Sequence, residues 1–223
     1  MDGKLPLVNL ILWMVLRVIY HAQRQVQQLF LLKQRFDLKW DTQRVYSSRT
    51  MRVRLQLATV EQAPEISELR LSVAARLTSQ HGPGPWSRTS TVKGVLYDLR
   101  HSMLYVATRR QEIIATLALC TKKPWAIDCK HFSKCWKPLY LVSMAVAPEW
   151  QERGIGRLCL AEVDKIVAAW PADAIRLDAY AAAAGAGEFY RRCGYAEVGR
   201  ATYRTIPLIY FEKLWRRNAS KTL

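Results

Sequence analysis

Residues 139–170, written LYLVSMAVAPEWQERGIGRLCLAEVDKIVAAW, constrain this chain more than any other stretch. A short apolar run, 139–147, ends at Pro148 and reads as a buried strand. A turn over 148–152 and a glycine-bearing loop over 153–156 follow. Apolar residues at 155, 159, 163, 166, 167 and 170 then keep the helical period up to Pro171. A strand that feeds a glycine loop at a helix start is suited to holding an anion. The first-turn N–H groups have no intrahelical acceptor, the helix dipole adds positive charge, and glycine lets a bulky phosphate approach the backbone.

Spacing narrows which anion. The G-x-x-x-x-G-K-[ST] loop of nucleotide triphosphatases is absent, and so is G-x-G-x-x-G with an acid some way downstream. Gln151-Glu152-Arg153-Gly154-Ile155-Gly156 instead matches Q/R-x-x-G-x-G/A, preceded by Met144-Ala145-Val146-Ala147-Pro148. A second motif, Glu188-Phe189-Tyr190-Arg191-Arg192-Cys193-Gly194-Tyr195, lies downstream after a small-residue stretch over 181–187.

Together the two motifs resemble the acetyl-CoA loop and the A-x-x-F-Y-x-x-x-G-F/Y helix of the GCN5-related N-acetyltransferases, the GNAT superfamily. The resemblance covers about residues 51–214. It implies acetyl-CoA as acyl donor, an amine as acceptor, no metal, and direct attack in a ternary complex without a covalent intermediate.

It also implies a division of labour along the chain. Backbone N–H groups of Gln151, Glu152, Arg153, Gly154, Ile155, Gly156 and Arg157 would take the pyrophosphate. Exposed backbone of Met144, Ala145 and Val146 would pair with the pantetheine arm beside splayed strands, with the Val146 amide as oxyanion donor. Tyr190 stands where the family carries its general acid. A phenol with pKa about 10 stays protonated at neutral pH and can return a proton to a thiolate of about 8.5. The base has no motif behind it: Asp178 is the foremost candidate, ahead of Ser143 and Glu149. Ala183 replaces an asparagine often found seven residues before the tyrosine, which removes a usual pantetheine contact.

Around these motifs the chain reads as a mixed α/β sheet with helices on both faces. Residues 51–58 form a first strand, and Thr59 with Gln62 forms a capping box for a helix running through Leu77. The segment 81–85, His-Gly-Pro-Gly-Pro, forbids regular structure and with Trp86 is either a wall of the acceptor site or a connector. A helix over 91–100 and a hairpin of 102–108 with 112–119 follow. Residues 121–138 form a long aromatic and basic insert that covers the substrate or packs over the sheet. Strands 174–180, 195–203 and 205–214 complete the sheet. The expected division is an extra N-terminal helical segment over 1–49, an acetyltransferase domain over 50–215 and a basic tail over 216–223.

Residues 7–20 are apolar but broken by Asn9 and Arg17, too short for a membrane span. A peripheral membrane or partner contact through 7–32, an extra packed helix and an over-extended start ahead of Met51 all stay open, as does a homodimer. Net charge is +16, from 34 basic and 18 acidic residues, yet the basic residues are dispersed and no nucleic-acid-binding signature appears, which argues against nucleic acid. Five cysteines, an odd number in a chain that needs no staples, point to free thiols in a reducing, cytoplasmic compartment. Cys129, His131 and Cys135 fit no common zinc spacing. A rival to catalysis is a silent acyl-CoA-binding regulatory module recruited through the N-terminal helix, which Ala183 and the unidentified base favour.

Overall fold

The computed structural model describes residues 52–215, which lie in the unit Thr50–Leu223. Expectations for 1–49 and for the tail fall outside the described residues. In chain order the elements are β1 (Leu55–Leu57), α1 (Ala63–His81), α2 (Val92–His101), β2 (Met103–Arg109), β3 (Glu112–Cys120) and β4 (Pro138–Val146). After these come α3 (Ile155–Ala169), β5 (Ala174–Tyr180), α4 (Gly187–Arg192), β6 (Ala196–Tyr203) and β7 (Ile206–Leu214). One seven-stranded sheet has the order β1-β2-β3-β4-β5-β7-β6, and its only parallel pair is β4 with β5.

Burial explains the patterning. Central β3 is buried on both faces from Ile113 to Leu119, which is why its run is continuously apolar rather than alternating. On one face Ile155, Cys159, Leu160 and Val163 of α3 pack with Leu139, Leu141, Leu177 and Phe211. Each such large side chain taken fully from water contributes about 1.5–3 kcal/mol. On the other face, Ile66 and Leu69 of α1 and Val95 of α2 cover Leu104, Val106 and Ala118.

Two local expectations are corrected. Strand β1 pairs with β2 only over Leu55–Leu57, so the first strand is much shorter than 51–58. Thr59 is not the helix cap: its N–H donates to Gln62 Oε1 at 3.0 Å, half of a capping box, but α1 begins at Ala63 with a proline in its first turn and continues past Leu77 to His81. In α2, by contrast, Thr91 Oγ1 accepts from Gly94 N–H at 3.1 Å and caps the helix.

The insert does not lie loose. Ile127 and Phe132 pack with Tyr140, Leu208 and Tyr210 on the sheet, while Trp125 and Trp136 stay 86% and 95% exposed. Beneath the insert, Arg176 Nε donates to Glu212 Oε1 at 2.9 Å, with the side chains 6% and 2% exposed. Arg176 also donates to Ser133 O, and Glu212 accepts from Ser133 N–H at 3.2 Å. Of the two expected roles for 121–138, packing over the sheet is the one observed.

Candidate active site

Strands β4 and β5 pair at Pro138 with Ala174, Leu139 with Ile175 and Tyr140 with Arg176, and then separate. Each keeps its outer partner beyond that point: β4 stays on β3 up to Val146, and β5 stays on β7 up to Tyr180. A gap therefore opens between residues 141–146 and 177–180. A register shift opposite Thr116–Ala118 contributes, because Ser143 and Met144 together face one residue of β3 and Ser143 takes φ 52°. Such a bulge bends a strand and increases its twist.

Backbone direction on the gap edge follows from alternation. The Ala147 N–H donates to Ile114 O at 2.9 Å, toward β3. The N–H and C=O of the preceding residue, Val146, therefore point into the gap, and Gln151 Nε2 donates to Val146 O at 2.8 Å. Thus Gln151 ties the loop to the strand through its side chain, a role its place in the motif does not reveal.

The loop itself turns on two left-handed residues, Glu152 at φ 60° and Gly154 at φ 79°. Gly154 O accepts the first bond of α3, from Leu158 N–H at 3.1 Å, so the N–H groups of 155–157 have no acceptor within the helix and point outward. The Arg109 and Arg153 guanidinium groups lie 4.7 and 5.4 Å from the Trp150 ring centre, which places positive charge beside the loop. Ile155 is buried, whereas a Cβ on Gly156 would meet the Phe189 ring at 3.0 Å and Met144 Cε at 3.5 Å. The first turn of α3, strand β4 and helix α4 thus meet at Gly156.

Tyr190 projects from α4 to the same place, with its hydroxyl 3.9 Å from Met144 Sδ. Its ring packs against Phe189, Tyr195 and Phe211, and burial, with smaller contributions from Asp178 and Cys193, raises its pKa above the ordinary phenol range. Asp178 sits on β5 opposite Tyr210. Alternation puts it with Arg176 and Tyr180 on the face away from Leu177 and Ala179, opposite the face on which Tyr190 packs. Burial raises its carboxyl pKa, opposed by a backbone hydrogen bond. Of the weaker base candidates, Ser143 is exposed beside the gap and Glu149 is exposed in the turn Pro148–Trp150.

On the Asp178 side lies a cavity of about 310 Å³, lined in part by Trp86, Arg88, Tyr180, Ser143 and Ala145. Tyr180 OH donates to Pro85 O at 3.3 Å, and the Trp86 and Tyr180 rings meet edge-on at 6.0 Å. Segment 81–88 is therefore a wall of this cavity. Trp86 stands out in the sequence, but nothing there marks Tyr180, or Arg70 from α1, as lining the same cavity.

Among the described residues no His/Cys/Asp/Glu group is arranged to hold a metal. Cys129 Sγ lies by Tyr140 OH, Cys135 Sγ by Arg176 Nη2, and the His131 ring against Tyr210. No helix among the described residues is long and apolar enough to cross a membrane.

A mixed sheet split beside a glycine loop defines a GNAT-type fold. Residues 100–197 match the family model described as an acetyltransferase (GNAT) domain.

Solved structures share the fold at low identity. A GCN5-related N-acetyltransferase from Rhodopseudomonas palustris aligns at TM-score 0.57 and 16% identity, covering 76% of this chain and 100% of that one. The PaiA N-acetyltransferase from Thermoplasma acidophilum, in complex with coenzyme A, aligns at 0.56 and 15%, covering 74% and 100%. A ribosomal-protein-alanine N-acetyltransferase from Brucella melitensis aligns at 0.54 and 18%, covering 72% and 99%. No curated protein sequence matches the chain.

Proposed function

We propose that this protein transfers an acetyl group from acetyl-CoA to a primary amine by direct attack in a ternary complex. The observation that carries this is the convergence at the β4/β5 gap. Val146 backbone groups face it, the N–H groups of the 151–157 loop lie at its end, and the Tyr190 hydroxyl reaches Met144 from α4.

The chemistry is divided among these groups. Main-chain N–H groups of 152–157 bind the pyrophosphate, the Gln151 N–H being donated to Pro148 O at 3.3 Å, and the edge of Met144, Ala145 and Val146 pairs with the pantetheine arm as an added strand. The neutral amine attacks the thioester carbonyl carbon, the C–N bond forms, and the developing oxyanion is stabilised by the Val146 N–H. The C–S bond then breaks. Burial makes Tyr190 a reluctant acid, so its first service is a hydrogen bond to the departing sulfur, with the phenol proton following as the thiolate forms. Asp178, through a water, takes the proton lost by the amine, and its raised pKa brings it nearer the working range of a base.

Ala183 in place of the usual asparagine supports the rival of a silent acyl-CoA-binding module. Initial rates measured while both substrates are varied separate the mechanisms. Intersecting reciprocal plots are expected for a ternary complex. Parallel plots would indicate a covalent acetyl-enzyme and overturn direct attack. Five free cysteines fit a reducing, cytoplasmic setting for this activity.

A further inference from the structure

The 310 Å³ cavity beside the gap has an electrostatic character that bears on its occupant. It is lined by Arg70 and Arg88 and by no aspartate or glutamate. Arg70 Nη1 is bound to Asp98 Oδ2 at 2.7 Å, which neutralises one of the two cations. The other Arg70 nitrogens, Nε and Nη2, are buried and have no hydrogen-bond partner among the described residues. Buried guanidinium N–H groups left unpaired are costly, so a shift of the Arg70 side chain that turned them to a ligand oxygen would be favoured. Burial raises the Tyr180 phenol pKa; Arg88 lies close enough to oppose that rise, and Asp178 adds to it by a smaller amount.

The walls have a different character. Trp86 Nε1–H is already donated to Gly82 O at 3.0 Å, and Tyr180 OH to Pro85 O at 3.3 Å. Both residues therefore offer ring surface rather than polar groups, and Val73 and Leu77 add aliphatic surface. The volume sits at the small end of ordinary ligand pockets, about 300–1,000 Å³. A polyamine or aminosugar would bring several positive charges to a lining that holds Arg88 and Arg70, where Asp98 is already bound to Arg70 and Asp178 serves the reacting amine alone.

We infer that this cavity takes an acceptor that carries a carboxylate as well as its amine. It is a small amino-acid-like molecule whose apolar body lies against Trp86 and Tyr180 while Arg88 and Arg70 hold the carboxylate. The inference rests on the acetyl-transfer reading for the amine's place at the gap, but the anion pocket can be tested without turnover.

Calorimetric titration of the full chain, saturated with CoA, compares N-acetyl-L-phenylalanine with N-phenethylacetamide, which lacks the carboxylate. The carboxylate compound is expected to bind about tenfold tighter or more, and Arg88→Gln to erase that difference. Arg88 is the residue to change, because Arg70 also anchors α1 to α2 through Asp98. Equal affinities, tighter binding of the amide without the carboxylate, or binding of neither would overturn the inference.

Turnover with L-phenylalanine, phenethylamine and spermidine separates the two claims. Preference for spermidine or phenethylamine would sink the carboxylate pocket and leave acetyl transfer standing. Preferential binding of N-acetyl-L-phenylalanine with turnover of no amine would do the reverse.

Discussion

The Tyr190 hydroxyl lies 3.9 Å from the sulfur of Met144, joining a helix near the end of the fold to the strand at its centre, 46 residues away in sequence. That contact places a buried proton donor on the strand edge that the pantetheine arm would follow. Tyr190→Phe is expected to lower kcat by about 10²–10⁴-fold. CoA affinity should hold, since the ring contacts with Phe189, Tyr195 and Phe211 do not use the hydroxyl. Steady-state rates with parallel CoA titration check this, and an unchanged kcat would remove Tyr190 from the chemistry.

Gly154 holds the loop in a conformation other residues resist. Its φ is 79° and the space where a Cβ would sit is open, so Gly154→Ala suffers from backbone strain alone. A loss of about 1–2 kcal/mol of stability is expected from the left-handed conformation. If the loop relaxes instead, its N–H groups turn away and CoA affinity falls. Thermal unfolding with and without CoA measures both, and a variant matching the parent in each would show that the left-handed turn is dispensable.

Asp178 gives a signed pH dependence. Its folded pKa is raised above the ordinary carboxylate value of 3.8. The folded state therefore favours the neutral carboxyl, and this contribution is full below pH 3.8 and lost as pH rises through the folded pKa. Asp178→Asn is expected to raise Tm at pH 7, with the difference from the parent vanishing toward pH 3.8, and to depress kcat/KM at neutral pH. A lower Tm at neutral pH would show that the carboxylate is stabilised by its surroundings.

The Arg176–Glu212 pair anchors the insert to the sheet. Both side chains are almost fully buried, so Glu212→Ala leaves a guanidinium without its counter-charge and frees Ser133 N–H. A loss of about 3–5 kcal/mol is expected. Urea unfolding measures it, and a loss under about 1 kcal/mol would mean that water or a rearranged insert replaces the carboxylate.

How much of this was readable from sequence follows from how local each feature is. The strand, loop and helix around Gly154 were legible because apolar period, proline and glycine act within a few residues. Tyr190 was legible through its motif. The cavity was not, because Trp86 meets Tyr180 only after the chain has laid down three intervening strands and the helices α2 and α3, and neither residue carries a local sign of the other. The Arg176–Glu212 pair was hidden in strands whose pattern reads as ordinary alternation, 36 residues apart. Apolar alternation over 51–58 does not show where pairing stops: β1 leaves the sheet before Leu55, opposite Ala107, although β2 runs on to Arg109.

Release of free CoA thiol from acetyl-CoA, followed with the purified full chain across a panel of amines, tests acetyl transfer most directly. At least one amine is predicted to accelerate release well above the rate in its absence and to appear as its N-acetyl product. Measurable CoA binding with no amine-dependent release would contradict the proposed reaction and leave a binding module.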